Sequence, residues 1–295
     1  MLESSKKTEN FAHLVKQHPC FNGDAHVKYG RIHLPVSPDC NIQCRFCKRG
    51  FNKWENRPGV SHSLLTPEAA VDMVAKALEK CPELTVAGIA GPGDTLATNH
   101  ALEAFELIHQ RYPKLINCLS TNGLLLEEKA ERLVAVGVKT VTVTMNAVDY
   151  HILEQICAYI FYQGHHFTNS LAARLLISAQ IAGIRKIVSL GLVVKINAVL
   201  IPGVNDHHLG HVAELASKLG ASLFNIIPLI PQHEFKEYPV PDCQQLNSAR
   251  EAAEKYLPVF RHCQHCRADA CGIPGKVQDF SEGLYDQAVN TFSHG

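Results

Sequence analysis

From Arg31 onward the chain alternates β-branched or apolar runs with amphipathic stretches. The runs RIHLPV (31–36), LTVAGIA (84–90), LINCLS (115–120), TVTVTM (140–145), LVVKINAVLI (192–201) and SLFNIIPLI (222–230) have the length and residue types of strands. Between them, helix-like segments run over Thr66–Lys80, Asn99–Arg111, Glu127–Val136, Asp149 to about Tyr162, Ser170–Ala182 and Asp206–Leu219. Thr66-Pro67-Glu68 places an N-cap before a first-turn proline and acid.

Six strands separated by helices of this length predict right-handed βαβ units, a parallel sheet and helices outside it, an α/β fold in the form of a partial (β/α)6 barrel. In such sheets ligands gather at the carboxyl ends of the strands. The loops that fall there are Pro38–Arg49, Gly91-Pro92-Gly93-Asp94, Ser120-Thr121-Asn122-Gly123, Asn146 and Pro202-Gly203-Val204-Asn205. The expected layout is an N-terminal extension (1–30), the barrel (31–240) and a C-terminal part (241–295) holding a helix, a cysteine-rich segment and, beyond Gly272, a polar tail.

Composition narrows the function classes. The 295 residues are 46% hydrophobic and 19% charged, enough apolar material for one large core. With 28 basic and 28 acidic residues the net charge is zero, so the electrostatic footprint of a nucleic-acid binder is missing. The start, MLESSKKTEN, has no apolar signal-peptide core, and no later run is a bilayer-length apolar span, so a cytoplasmic location without membrane contact is expected.

Eleven cysteines in a chain of that kind point to metal or redox chemistry rather than disulfides. Cys40, Cys44 and Cys47 lie together, Cys263, Cys266 and Cys271 form a second group, and Cys20 stands near the start. Cys81, Cys118, Cys157 and Cys243 are scattered, and the bland reading of a scattered cysteine is a small buried hydrophobe.

Cys40-Asn41-Ile42-Gln43-Cys44-Arg45-Phe46-Cys47 puts three thiols directly after the first strand. A structural zinc site needs four ligands, whereas a cubane held by three cysteines keeps one iron open. The competing reading is a zinc knuckle that borrows a fourth ligand from elsewhere. Spacing and placement resemble the signature of the radical S-adenosylmethionine (SAM) superfamily. That resemblance implies a [4Fe-4S] cluster whose open iron binds SAM and cleaves it reductively to a 5'-deoxyadenosyl radical. It also implies that the Gly91-Pro92-Gly93-Asp94 turn holds the amino group of SAM. Ser120, Thr121, Asn122, Asn146 and Asn197, at or near later strand ends, could bind its carboxylate or ribose, although a polar residue at a strand end is more often a turn former or cap.

The second CxxC, Cys263-Gln264-His265-Cys266, leaves zinc, redox and cluster readings open by itself. Together with CRADA after it, HPC at 18–20, GRIHLPV at 30–36, RPGV at 57–60, AGPGD at 90–94, CLSTNGL at 118–124, TVTMNA at 142–147, VLIPGVND at 199–206 and NIIPLIP (with Ile226) at 225–231, it resembles the NifB family from about His18 to Gly272. The resemblance implies a maturase that takes two further [4Fe-4S] clusters as substrates. These are fused, with a carbide from the SAM methyl group and an added sulfur, into the 8Fe-9S-C precursor of the nitrogenase cofactor. It implies Cys20 and His33 as ligands to one substrate cluster and Cys263 and Cys266 as ligands to the other. Cys118 is implied as a transient ligand and Cys271 as a further terminal one, with Ile226 beside the SAM site. For His33 the bland reading is a hydrogen-bonded core histidine, and for Cys118 it is packing.

The implied partners are cluster-delivery proteins, carrier and scaffold proteins of nitrogenase assembly, and an electron donor such as a ferredoxin or flavodoxin. One departure is evident: the family commonly carries another cysteine a few residues after the three-cysteine motif, where Lys48-Arg49-Gly50-Phe51-Asn52-Lys53-Trp54 has none. The carrier domain that follows the barrel in many members is also missing, so handover is expected to need a separate protein. The alternatives are a radical SAM enzyme with one auxiliary cluster acting on an organic substrate, a non-catalytic iron-sulfur scaffold, and a zinc protein.

Overall fold

Six parallel strands pair in the order in which they occur along the chain: β1 (Gly30–His33), β2 (Leu84–Ile89), β3 (Ile116–Thr121), β4 (Val138–Thr144), β5 (Val193–Leu200) and β6 (Leu223–Pro228). A short seventh strand, β7 (Cys271–Gly272), adds antiparallel to the outer edge of β1. The computed structural model describes residues 14–276 and 279–285. The first thirteen residues of the expected N-terminal extension, and 277–278 and 286–295 of the expected tail, lie outside the described residues. Among the described residues no helix is long and apolar enough to cross a membrane.

The strands cohere because their side chains alternate between two chemically distinct layers. Ile32, Ile89, Leu119, Val141, Val143, Ile196 and Phe224 face outward and are buried in the main core against the helices. At about 1.5–3 kcal/mol for each large apolar side chain, this layer holds the sheet in register. The covering helices are α1 (Pro67–Lys80), α2 (His100–Arg111), α3 (Leu126–Ala135), α4 (Tyr150–Ile156), α5 (Asn169–Ser189), α6 (Leu209–Lys218) and, after β6, α7 (Cys243–Glu254). Thr66 caps α1, its hydroxyl accepting from the Ala69 amide at 3.2 Å. Asp242 and Gln245 form a reciprocal capping box at the start of α7.

Two helices differ from their expected bounds by more than three residues. The segment expected to be helical from Asp149 to about Tyr162 leaves the helix at Ile156, and Cys157–Tyr162 becomes the middle strand of a small antiparallel sheet between Ile42–Cys44 and His165–Thr168. Aromatic and β-branched residues in CAYIFY favour the strand, and Gln163 and Gly164 turn it back with φ of 50° and 79°, the two positive values of a type I′ hairpin. Conversely, α5 runs past Ala182 to Ser189. Gly183 does not end it. It is a contact point, since a Cβ there would stand 2.7 Å from Cβ of Leu126 on α3.

The C-terminal segment closes the open side of the sheet. The Phe224 amide of β6 donates to the carbonyl of Pro258 at 2.9 Å, and the Phe260 amide donates back to Phe224 at 2.8 Å. After ten intervening residues β7 pairs with β1, so residues 261–270 pass from one edge of the sheet to the other. Of the expected polar tail, the described residues Ile273, Leu284 and Tyr285 are buried in the main core, and the Tyr285 hydroxyl donates to the His33 carbonyl at 3.0 Å.

Candidate functional site

The inward faces of the strands are polar where the outward faces are apolar, and the register arranges them in rows. His33, Gly88, Cys118 and Thr140 are direct neighbours across β1 to β4. Ser120, Thr142 and Lys195 form the next row, and Thr144, Asn197 and Asn225 the one after. These rows wall a cavity of about 360 Å³. Cys20, Cys40, Cys44, Cys47, Cys263 and Cys266 line it from the segments around the sheet.

The three-cysteine loop is pinned by its own intervening residues. The Gln43 amide donates to the carbonyls of Cys44 at 2.9 Å and Cys47 at 3.0 Å, and the Cys47 amide donates to Cys44 at 2.9 Å. Asn122, from the loop after β3, donates to Asn41 Oδ1 at 2.7 Å and reaches Sγ of Cys40 at 4.0 Å. Burial pushes the Cys40 thiol up to about 12, with the Asp94 carboxylate adding to it, and raises Cys44 and Cys47 as well. Thiols so placed stay protonated unless a metal displaces the protons, and three of them on one cavity wall fit a cluster that retains a free iron.

The Gly-rich turn after β2 locks onto this loop. The Gly93 amide donates to Ser37 and the Asp94 amide to Asp39, both at 2.8 Å. A Cβ on Gly93 would lie 2.0 Å from the Asp39 carbonyl oxygen, so only glycine fits. The Asp94 carboxylate is already engaged by the amides of Leu96 and Asn122 and the hydroxyl of Thr121. It ties the β2 loop to the β3 loop. Asn146 is likewise occupied, its Oδ1 accepting from the Val199 amide at 2.9 Å, and Asn197 Oδ1 accepts from Asn225 at 3.1 Å.

At the other end of the cavity, the loop carrying Cys20 hangs from the inner wall. The Cys20 amide donates to His18 Nδ1 at 3.2 Å, so His18 Nε2 carries its proton toward Thr140 Oγ1, 3.2 Å away, and Lys195 Nζ donates to the Cys20 carbonyl at 3.1 Å. Burial drives the Cys20 thiol to about 12, against the pull of Lys195 and Arg31. Arg31, buried on β1, donates to Cys266 Sγ at 3.2 Å and to the Gly272 carbonyl at 2.7 Å. His33 Nδ1 lies 3.0 Å from the Arg267 carbonyl. A carbonyl only accepts, so Nδ1 bears the proton and Nε2 keeps its lone pair; burial, helped by Arg31, lowers the ring's pKa to about 4 and keeps it neutral. That is the ligating form of a histidine, and it sits in the row that includes Cys118.

The CRADA run that follows the second CxxC acts as a latch. Arg267 pairs with Asp269 through two hydrogen bonds, Nε at 2.9 Å and an Nη at 3.1 Å, and also donates to the Asn52 carbonyl at 2.7 Å. Asp269 in turn accepts from His62, its Nδ1 at 2.6 Å, and the Ala268 amide donates to Val60 at 2.8 Å. The segment after the three-cysteine loop is thereby joined to the segment carrying Cys263 and Cys266.

Three expected site residues fall elsewhere. Cys271 pairs with Ile32 across β7 and β1, and shares its outward face, so its thiol is buried in the main core away from the cavity. Ile226 also faces outward, because strand alternation turns Asn225 and Ile227 inward. Gly91 is behind the wall, near Ala268. Other residues join the wall without having been singled out. Gln180 of α5 donates to the carbonyls of Asn122 at 2.7 Å and Thr144 at 2.9 Å, clamping two strand ends. As a glutamine on the buried stripe of an amphipathic helix, it carried a readable signal. Cys157 lines the cavity as the cross-strand neighbour of Cys44, which only the hairpin reveals.

The Radical SAM superfamily pattern matches residues 34–216. The FeMo cofactor biosynthesis protein NifB of Methanocaldococcus infernus is 46% identical over 270 residues, covering 91% of this chain and 89% of that protein. Its namesake in Klebsiella pneumoniae is 42% identical over 290 residues, covering 95% of this chain but 62% of that longer protein. Among solved structures, a radical SAM methyltransferase from Sphaerobacter thermophilus aligns with a TM-score of 0.57 at 20% identity, over 78% of this chain and 65% of that one. SuiB of Streptococcus suis, bound to S-adenosylmethionine, aligns at 0.58 and 13% identity, over 88% and 55%. At such identities these two speak for the fold alone.

Proposed function

The chain belongs to the NifB family of the radical SAM superfamily, and from that premise we propose that it builds the 8Fe-9S-C precursor of the nitrogenase cofactor from two [4Fe-4S] substrate clusters, a SAM-derived carbide and one added sulfur. The observation that carries this reading is that one cavity is lined both by Cys40, Cys44 and Cys47 and by a second set of soft ligands, Cys20, His33, Cys118, Cys263 and Cys266.

Cys40, Cys44 and Cys47 would hold a [4Fe-4S] cluster with SAM on its open iron; one SAM would donate its methyl to a cluster sulfide and leave as S-adenosylhomocysteine, and a second would be cleaved reductively to methionine and a hydrogen-abstracting 5'-deoxyadenosyl radical. The remaining roles belong to the chain. Gly93 lets the β2 turn approach the cluster loop, and Gln180 and Asp94 hold the strand ends that face SAM. Cys20 and His33 present a thiol and an Nε2 lone pair to one substrate cluster, and Cys263 and Cys266 present two thiols to the other. Arg31 donates a hydrogen bond to Cys266 Sγ and so fixes where that sulfur lies. Few protein ligands per cluster suit substrates that must fuse and leave. Polar inward rows and the C-terminal closure keep the substrates at the barrel mouth. The partners in this reading are cluster-delivery and cofactor-carrier proteins and a low-potential electron donor such as a ferredoxin or flavodoxin.

The test is anaerobic reconstitution followed by iron counting and by addition of SAM, reductant and sulfide, with activation of cofactor-less nitrogenase as the readout. Iron for three clusters and activation support the proposal. Iron for two clusters, SAM cleavage and no activation would favour a radical SAM enzyme with one auxiliary cluster, and clusters without SAM cleavage would favour a scaffold.

A further inference from the structure

We propose that Lys195 is a positioning residue for cluster fusion, its ammonium donating a hydrogen bond to a sulfide of the substrate cluster at the Cys20 end of the cavity and offsetting the negative charge that builds up there; the proposal rests on the cluster-substrate reading above.

Lys195 interrupts the apolar run 192–201 at a position that the register turns inward, beside Thr142. It is 6% exposed and lines the cavity. Nζ donates to the Cys20 carbonyl at 3.1 Å and stands over two rings, 4.9 Å from the centroid of Phe21 and 5.7 Å from that of Phe260. The carbonyl takes one of its N–H donors and leaves the others for a ligand. No carboxylate pairs with Lys195 among the described residues. Asp94 is the acidic residue on the cavity wall, and its oxygens are taken by Leu96, Thr121 and Asn122. A buried charge without a counter-charge is costly, so an ammonium kept here implies an electron-rich, anionic occupant.

Its position identifies that occupant. Phe21 adjoins Cys20, and Phe260 lies shortly before Cys263. Cys20 and Cys263 both pack against the small core that these two rings form with Val193 and Leu223. Lys195 therefore stands where the segments carrying the two candidate ligand sets converge. Burial raises the thiols of Cys20 and Cys118, and the Lys195 charge works against it at both. Fusion adds a carbide and a sulfide, both anions, so the product core is more negative than the two clusters that form it. A fixed ammonium at the meeting point stabilises that change without having to reorganise. Hydrogen bonds to cluster sulfur and nearby charge also set the reduction potential, which gives the contact a direct readout.

The test uses the reconstituted full-length chain in a Cys40→Ala/Cys44→Ala/Cys47→Ala background, which leaves only substrate clusters. Lysine-selective 15N labelling and pulsed EPR of its reduced form should show a weak nitrogen coupling, of hydrogen-bond rather than ligand strength, that is lost in Lys195→Gln. Absence of any lysine coupling in the background protein itself overturns the proposal without relying on any lysine variant's folding. Glutamine keeps a donor for the Cys20 carbonyl but no charge. In an EPR-monitored redox titration, Lys195→Gln should therefore make the cluster about tenfold harder to reduce, a shift of about 59 mV for one electron. Lys195→Arg should recover most of that loss. An unchanged potential in Lys195→Gln at full iron content would overturn the proposal and reduce Lys195 to suspending the Cys20 loop. If the unsubstituted chain retains iron for the SAM cluster alone, the cluster-substrate reading fails and this assignment with it, an outcome distinguishable by iron content.

Discussion

His33 leans over Gly88 on the adjacent strand, so closely that a Cβ on Gly88 would stand 3.1 Å from Cδ2 of the imidazole. Because Gly88 also separates His33 from Cys118 in the same inward row, the missing side chain is what opens the space between a candidate nitrogen ligand and a candidate thiol.

Filling that space should displace the imidazole. Gly88→Val is expected to weaken folding by about 1–3 kcal/mol through overpacking. It should also remove the His33 nitrogen coupling from the reduced clusters while SAM cleavage persists. Denaturant titration and pulsed EPR check the two effects separately; an unchanged coupling would show that His33 does not ligate through this row.

The two ends of the cavity should fail differently. Cys44→Ala is expected to abolish SAM cleavage, whereas Cys263→Ala should leave cleavage measurable and stop formation of the precursor. Chromatographic assay of 5'-deoxyadenosine beside nitrogenase activation separates them. Equal loss of cleavage in both would reduce the terminal pair to a structural role.

Gly93→Ala should be more damaging than a typical surface-loop change. The clash is with the backbone carbonyl of Asp39, which cannot swing aside as a side chain would. The turn would have to move, and with it the amides that grip Ser37 and Asp39. Loss of SAM binding measured by calorimetry, with the secondary structure retained by circular dichroism, is the expected result.

The Arg267–Asp269 latch predicts an acid limb in stability. Burial disfavours the Asp269 carboxylate, but hydrogen bonds from Arg267 and His62 outweigh it and hold the group below its ordinary value of 3.8. A carboxyl whose folded pKa is depressed contributes its stability above the unfolded value, and that contribution disappears as pH falls through the folded one. Asp269→Asn should therefore cost about 3–5 kcal/mol near neutrality, the usual penalty for breaking a buried pair. The gap from the parent should narrow below about pH 4. Urea melts across that range measure it.

Cys271 serves as the control among the thiols. On the outward face of β7, it packs in the main core, so Cys271→Ala should cost about 0.5–1.5 kcal/mol of stability, as for removal of one methyl-sized group. Iron content after reconstitution should not change. A loss of iron matching that of Cys266→Ala would contradict the register.

The periodicity of the chain was enough to determine the six strands, most helices and the sheet's layered character, because alternation such as Thr140-Val141-Thr142-Val143-Thr144 records which side of a strand meets helices and which meets a polar cavity. The spacing of Cys40, Cys44 and Cys47 likewise stated their chemistry locally, since three thiols on one loop can meet one cluster without help from distant residues. Tertiary structure decided what depends on register and on contacts between segments far apart. It turned Cys271 and Ile226 outward, spent the Asp94 carboxylate on holding two loops together, set Cys157 beside Cys44 through a hairpin, and carried Cys263 and Cys266 across the open side of the sheet. It also fixed the proton on Nδ1 of His33. None of these is written in a spacing, because a side chain's facing and a ring's tautomer are set by which neighbour lies across the strand or which carbonyl happens to be in reach.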